Sequence, residues 1–388
     1  MSNANNNDDI ITKPKSNHAN INTNHKSNNN QEEKGHRYGN FHNYYTFNPT
    51  SNRLSILNQL KMFDYLRESL SSQNTTIMDQ EQRQIKRQKR ITSSNDTTSC
   101  TTATNQCHDS RRQIITYCDL GCNEGDLTIS IAEHLLNMMN ETITKNNNTS
   151  TNDTSSICCN QSIHNNTIVK CLGMDIDPTL IQRANKKYRK GNTNTAAAAD
   201  DDDDFIHSTF QTCNIAANIK NFEYKCQSFL QDIKYNNSCE INSKEKDSMT
   251  KSKLDQKQRF DLISIFSTSM WIHIHHGDEG LKSLLQSICS QCRYVLIEPQ
   301  PSKCYRNVNS RLRKMNLQEI DVSVERLKMR CDIENEIEKV IINCGFERVD
   351  CLRGTHECDC IDKDSSDDRT KWNRTLRLYK WTQNSSTM

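Results

Sequence analysis

Two kinds of hydrophobic pattern alternate along this chain. Residues 114–117 are mostly apolar and short enough for a buried strand, and residues 129–136 then place apolar side chains at helical spacing. The pairing of a strand with a helix recurs further on. Strands are also predicted at 167–174, 224–230, 260–266, 294–297, 346–353 and 375–381. Strands that alternate with helices and finish in a hairpin predict an α/β fold with a mostly parallel sheet and one antiparallel strand.

Polar segments interrupt this pattern. The hydrophobic content is 33% and the mean hydropathy is −0.87, both low for a compact enzyme. The deficit is concentrated in segments rich in Asn, Ser, Thr, Asp and Lys, which bury too little apolar surface to offset their ordering entropy. We therefore expect a disordered tail at 1–34 and disordered low-complexity insertions near 70–112, 140–166, 189–206, 235–257 and 355–369. The remainder of 35–388 is sufficient for a single α/β domain.

Charge and cysteine content narrow the function classes. The formal net charge is +2, so a nucleic-acid partner is visible only in local basic runs such as residues 306–314. The 18 cysteines occur in a chain whose residues 1–30 contain no apolar leader segment, which indicates reduced, mostly buried thiols in a cytoplasmic protein. No stretch suits a membrane span, and no cysteine spacing matches a zinc site. We expect neither a membrane partner nor a bound metal.

The strongest candidate for chemistry lies between the first predicted strand and its helix. Here Asp119 precedes Gly121 and Gly125. Glycine lets the backbone approach a ligand closely, and a strand, turn and helix begin a nucleotide-binding βαβ unit. The glycine spacing differs from the dinucleotide fingerprint, and the leading acid suits a hydroxyl-bearing or cationic ligand better than a pyrophosphate. This D-x-G-x-x-x-G pattern resembles motif I of class I S-adenosylmethionine (SAM) methyltransferases, with an ordinary tight turn as the alternative.

Other polar residues fall at predicted carboxyl ends of strands, where open α/β sheets bind ligands. Asp175 follows the second predicted strand, the position that holds ribose hydroxyls in doubly wound folds. Asp232 follows the predicted strand at 224–230 and is a candidate acceptor for an adenine amino group, or else a solvated loop carboxylate. His273 and Glu298 follow the next two strands. Their convergence on one sheet edge supports a ligand site there.

Basic and aromatic residues suggest an anionic substrate. Lys303 suits a phosphate as a point charge, and Arg306 suits it as a bidentate fork. His273 is able to donate to a further phosphate oxygen near neutral pH, with core packing as the alternative. Tyr44 and Tyr45 are candidates to stack on a base, or else to pack on the domain.

Three longer stretches carry a family resemblance. Residues 119–127 are DLGCNEGDL, residues 270–281 are MWIHIHHGDEGL, and residues 298–306 are EPQPSKCYR. Together they resemble the bicoid-interacting-protein family of RNA 5′-phosphate methyltransferases. The last stretch resembles the branch that methylates the 5′-monophosphate of histidine tRNA and precursor microRNAs. The sister branch caps the triphosphate of a small nuclear RNA. The resemblance implies a class I SAM-dependent methyltransferase fold, SAM as the cofactor and an RNA 5′ end as the partner.

The resemblance also implies roles for individual residues. The family's SAM contacts fall on Arg53, Asn123, Asp175, Asp232 and Ile233, in a pocket shaped by Asp119, Gly121 and Gly125. Arg53 is expected to meet the methionyl carboxylate. From the chemistry of their side chains, we expect His273, Lys303 and Arg306 to position the phosphate, with structural roles as the alternative. We expect substrate contacts from Tyr44, Tyr45 and Tyr305. Ser302 stands where a Trp is common. We expect a monomer, with a triphosphate-capping enzyme and an inactive RNA-binding relative as the alternatives.

Overall fold

The computed structural model describes residues 49–59, 64–68, 113–147, 167–188, 205–238, 258–314, 324–353 and 374–382, and Tyr45, Arg83 and Lys86 individually. Its strands are β1 Gln113–Leu120, β2 Thr167–Asp175, β3 Ile206–Thr212, β4 Phe260–Phe266, β5 Cys292–Glu298, β6 Phe346–Arg353 and β7 Thr375–Trp381. They form one sheet in the order β3-β2-β1-β4-β5-β7-β6. Among these strands, β7 alone runs in the direction opposite to the other six. This topology confirms the predicted fold class.

Helices pack on both faces of the sheet. They are α1 Thr50–Leu57, α2 Asp126–Asn147, α3 Pro178–Tyr188, α4 Ile219–Ser238, α5 Ser269–Gln291, α6 Ser302–Arg306, α7 Val308–Lys314 and α8 Ile333–Asn343. Because side chains alternate along a strand, β1 contributes Cys118 and Leu120 to the core under α4, α5 and α8, and Ile115 and Tyr117 to the core under α1 and α2. None of the helices in the described ranges is long and apolar enough to cross a membrane.

The prediction of a strand at 224–230 was wrong. Those residues lie within α4, where Phe222, Cys226 and Phe229 are buried. Their spacing of four and then three residues is the helical repeat of an amphipathic surface helix, so the apolar residues there follow a helical period rather than a strand. The error moves Asp232 from a strand end to the exposed surface of a helix.

The third strand of the sheet is β3, which begins at the edge of the insertion expected at 189–206. Ile206 and Ser208 are half-buried and Phe210 is buried, whereas His207 and Thr209 are exposed. This alternation is typical of an edge strand with one face on the core. The acidic run at 200–204 lies directly before β3 and made its alternating pattern hard to recognise in the sequence.

Several helices have boundaries or bends that bear on the site. Helix α2 continues to Asn147, into the insertion expected from residue 140. Helix α5 begins at Ser269 and changes direction at Gly277, whose φ is 70°. The basic run at 306–314 is divided between α6 and α7.

Candidate active site

Asp119 closes β1 and is 2% exposed. Its two carboxylate oxygens accept hydrogen bonds of 2.7 Å from the hydroxyls of Thr128 on α2 and Ser264 on β4. Burial raises the pKa of Asp119, and these hydrogen bonds and the charge of Arg53 oppose the rise. The carboxylate therefore ties β1, α2 and β4 together beneath the turn that follows.

The turn after β1 bends sharply back over the sheet edge. Gly121, Asn123 and Gly125 have φ values of 78°, 54° and 84°. A Cβ on Gly121 would lie 2.1 Å from Thr268 Oγ1, and one on Gly125 would lie 2.6 Å from the Phe210 ring. The close approach expected of both glycines is therefore made to neighbouring side chains.

Asp175 closes β2 and faces this turn. Its oxygens accept hydrogen bonds of 3.0 Å from the backbone N–H groups of Asn123 and Asp177. Burial raises the pKa of Asp175 to about 6, against the effect of these hydrogen bonds. Asp177 accepts a 2.8 Å hydrogen bond from the backbone N–H of Thr179 and so caps α3.

A narrow cleft of about 50 Å³, partly open to solvent, lies at this sheet edge. Gly121 and Asp175 line one side, Asn214 follows β3 on another, and Trp271 and His276 come from α5. The residues expected at the third strand end do not line it: Asp232 is exposed on α4, and Ile233 packs against the core.

Arg53 lies in a buried charge network beside the cleft. It is 1% exposed, and its Nε donates to Glu298 Oε2 at 3.0 Å, while Nη2 donates to Ser267 Oγ at 3.0 Å. Arg374 donates to the other Glu298 oxygen at 2.7 Å. Burial raises the pKa of Glu298, but the two guanidinium groups outweigh it and hold the pKa below its usual value. The network joins α1, β5 and the residue before β7.

Gln300 ties the segment after β5 to the start of α5. Its Oε1 accepts hydrogen bonds of 2.9 Å from Ser269 Oγ and from the backbone N–H of Met270, and its Nε2 donates to Ser267 O. This buried amide fixes the position of α6 relative to the cleft.

His273 and Tyr305 form a buried chain with Asp278. His273 is 0% exposed and Tyr305 is 2% exposed. His273 Nδ1 lies 2.9 Å from the Tyr305 hydroxyl, and Nε2 lies 2.7 Å from Asp278 Oδ1. The Asp278 carboxylate also accepts the backbone N–H groups of Lys328 and Met329 at 3.0 Å. This geometry does not bring His273 or Tyr305 to a surface that RNA can reach, and both side chains position α6.

Lys303 and Arg306 are exposed on α6. They are three residues apart, so they share one face of the helix. Within the part of the chain that the structure describes, neither takes part in an ion pair. Tyr45 is half-buried and packs on the core beneath α1 and α2, and Tyr44 lies outside the described residues.

The sequence did not point to Asn214, His276 or Gln300. Asn214 was missed because β3 was missed. His276 lies one residue before Gly277, the point at which α5 changes direction, and its place in the cleft depends on that bend. Gln300 lies inside the EPQP motif, and a buried amide bonded on both sides has no sequence pattern of its own.

The comparison with protein families classifies this arrangement. Residues 260–380 match the family model of Bicoid-interacting protein 3 (Bin3). This segment begins at β4 and ends in β7, and it includes Glu298, Gln300, Lys303 and Arg306.

Similarity to curated proteins extends beyond that segment. The chain is 26% identical over 344 residues to the pre-miRNA 5′-monophosphate methyltransferase of Xenopus laevis, covering 88% of this chain and 91% of the relative. It is 28% identical over 273 residues to the RNA 5′-monophosphate methyltransferase of Bos taurus, covering 69% and 68%. A shorter match, 36% identical over 53 residues, is to the 7SK snRNA methylphosphate capping enzyme of Mus musculus and covers 13% and 8%.

Proposed function

We propose that this protein is a SAM-dependent O-methyltransferase that acts on the 5′-monophosphate of RNA. One observation carries the proposal. A cleft with a ribose-type carboxylate, Asp175, lies at the same sheet edge as a helix that presents the exposed cations Lys303 and Arg306. The two long matches are to relatives named for RNA 5′-monophosphate methylation, which supports the same reaction.

The cleft suits the nucleoside part of SAM by the chemistry of its donors and acceptors. Each Asp175 oxygen accepts one backbone N–H and keeps lone-pair capacity for a ribose hydroxyl. Asn214 Oδ1 accepts the backbone N–H of Ala217 at 3.1 Å, which orients its amide so that Nδ2 is available to an adenine ring nitrogen. Trp271 supplies an apolar wall. When bound, SAM supplies a sulfonium methyl group that a phosphate oxygen takes, with the bonding electrons left on sulfur.

The residues on the RNA side hold the acceptor and need not remove a proton. A phosphate monoester oxygen is already anionic near neutral pH, so no strong general base is required. Lys303 and Arg306 neutralise and orient the phosphate, and orientation of the reacting atoms alone can supply several kcal/mol, up to about 7 to 11 kcal/mol in well-aligned systems. His273 and Tyr305 contribute by holding α6 in place.

A methyl-capping enzyme for RNA 5′-triphosphates is the second candidate function. The 53-residue match to the 7SK snRNA methylphosphate capping enzyme supports it. That match covers 13% of the chain, whereas the monophosphate relatives match over most of its length. The long matches favour the monophosphate reaction.

Methyl transfer from labelled SAM to one RNA with three different 5′ ends tests the proposal. We expect label on the 5′-monophosphate form and not on the 5′-hydroxyl or 5′-triphosphate forms. A Lys303→Ala/Arg306→Ala variant is expected to lose most of this transfer while still binding SAM. Label on the triphosphate form alone would support the capping reaction instead. SAM binding without label on any form would contradict both candidate functions.

A further inference from the structure

Arg330 is a half-buried arginine that has no counter-ion among the described residues. It lies in a 3₁₀ helix, Met329–Asp332, that packs beside α6. Its Nε is buried without a hydrogen-bond partner, and the side chain takes part in no ion pair with the residues that the structure describes. A guanidinium group that loses part of its hydration without gaining a partner costs free energy. Such a cost is retained where a ligand supplies the missing charge.

The position of Arg330 is fixed against the start of α6. Ser302 Oγ donates a 2.6 Å hydrogen bond to the Arg330 carbonyl oxygen. The 3₁₀ helix that carries Arg330 contacts α6, and the charge of Arg330 opposes the rise that burial causes in the pKa of Tyr305. The backbone N–H of Met329, the residue before Arg330, donates to Asp278 Oδ1 at 3.0 Å. Arg330 therefore lies on the same structural unit as Lys303 and Arg306.

Three cations that pair with no described residue thus lie on a five-residue helix and the 3₁₀ helix packed beside it. Lys303 and Arg306 are exposed and Arg330 is half-buried, so the guanidinium group of Arg330 forms the least hydrated part of the cluster. The partial loss of hydration of Arg330 opposes this arrangement in the free protein. A phosphate is the ligand that relieves it, because it is anionic and accepts the parallel N–H bonds of a guanidinium fork.

We propose that Arg330 binds a phosphate group of the RNA substrate and so completes the anion site begun by Lys303 and Arg306. The choice of RNA as the ligand rests on the proposed function. The group bound is either the terminal 5′-phosphate or the first phosphodiester beside it. Arg330 makes the bidentate contact, and the two exposed cations on α6 add charge around it.

Lys328 provides a matched control. It lies two residues from Arg330 on the same segment and carries the same charge, but it is exposed and lines an open groove with Glu279 and Glu336. Removing either charge changes the net charge of the protein equally. A difference between the two variants therefore reports the place of the charge and not its amount.

Fluorescence anisotropy with one RNA hairpin, carrying either a 5′-monophosphate or a 5′-hydroxyl, tests the proposal without SAM or turnover. We expect Arg330→Met to weaken binding of the monophosphate RNA at least tenfold, Arg330→Lys to weaken it less, and Lys328→Met to change it less than twofold. The magnitude of the slope of log affinity against log salt concentration should fall by about 0.7 to 0.9 in Arg330→Met. A loss confined to the monophosphate RNA assigns the terminal phosphate, and an equal loss for both RNAs assigns the phosphodiester.

Thermal unfolding separates binding from a structural role. Because Arg330→Met removes an uncompensated charge, we expect its midpoint to equal or exceed that of the unsubstituted protein. A lower midpoint together with weaker RNA binding would overturn the proposal, as would equal RNA binding by the Arg330→Met and Lys328→Met variants. Absence of methyl transfer would overturn the proposed function but leave this binding result unaffected.

Discussion

The two sides of the candidate site differ in how completely their charges are paired. On the cofactor side, Asp119 and Asp175 are buried, and each of their carboxylate oxygens accepts a hydrogen bond from the protein. On the RNA side, Lys303 and Arg306 extend into solvent and Arg330 has no counter-ion among the described residues. On the cofactor side, the protein itself supplies hydrogen-bond partners to the charged groups. On the RNA side, an anionic ligand is needed to pair the cations.

This difference suits the two ligands. A small cofactor gains affinity when its site is already formed, because little ordering remains to oppose binding. A long polyanion is attracted over a distance and neutralised on contact, so unpaired cations serve it better than a closed network. Substitutions on the cofactor side should therefore reduce stability as well as binding, and substitutions on the RNA side should reduce binding alone.

We expect the largest loss of stability from a substitution in the buried charge network around Glu298. Glu298→Gln removes the charge between Arg53 and Arg374, of which the first is 1% exposed. A buried ion pair broken on one side costs about 3 to 5 kcal/mol, so we expect denaturant titration to show a fall of at least about 3 kcal/mol in the free energy of unfolding.

Glu279→Gln is the control, because Glu279 pairs with Lys282 at an exposed position. We expect Glu279→Gln to leave the free energy of unfolding unchanged. The pKa of Glu298 is lowered in the folded protein, so its contribution is present above its ordinary pKa of 4.5 and is lost as the pH falls below that value. Equal stability of the two variants would contradict the assignment of a buried network.

A smaller effect is expected in the turn after β1. Gly121→Ala must adopt a left-handed backbone and also place its Cβ 2.1 Å from Thr268 Oγ1. The control Gly345→Ala has a similar φ of 84°, but the nearest atoms lie 3.9 Å away. We expect Gly121→Ala to lower the free energy of unfolding by about 1 to 3 kcal/mol more than the control, the usual cost of overpacking. Equal losses would show that the close approach to Thr268 does not matter.

The smallest effect is a dependence of cofactor binding on pH. The pKa of Asp175 is raised by burial to about 6, and ribose hydroxyls need its ionised form. Calorimetric titration should therefore show SAM affinity falling by up to tenfold per pH unit below about 6. The sign for folding is opposite, because the raised pKa makes the folded state bind more protons between pH 6 and 3.8. Asp175→Asn should bind SAM weakly, and its SAM affinity should not fall further below about pH 6. The same fall of affinity in Asp175→Asn would assign the titration to another group.

The cofactor side was the more predictable from sequence. Asp119, Gly121 and Asp175 lie where the strand-turn-helix patterns placed them, because burial of parallel strands and the special φ of a turn glycine both leave local signals. The prediction of the third strand was wrong because β3 has one short core-facing side and follows an acidic run. The apolar residues of α4 were interpreted as that strand instead. Asn214 replaces Asp232 at the sheet edge for that reason.

The burial of His273 and the isolation of Arg330 could not be predicted. Both depend on the segment that contains residues 324–332 folding back onto α5 and α6, where Asp278 and Ser302 hold it. Contacts between segments separated by 28 and 51 residues leave no periodic trace in the sequence. The sequence motifs therefore pointed to His273, which is buried, and not to Arg330, which lies outside them.

Calorimetric titration of SAM and of 5′-monophosphate RNA into two variants tests the division of the site most directly. We expect Asp175→Asn to lose at least tenfold in SAM affinity and to keep its RNA affinity within twofold. Lys303→Ala/Arg306→Ala should show the reverse, with weaker RNA binding and unchanged SAM binding. Loss of both ligands in either variant, or of the same ligand in both, would contradict a cofactor side and an RNA side that act separately.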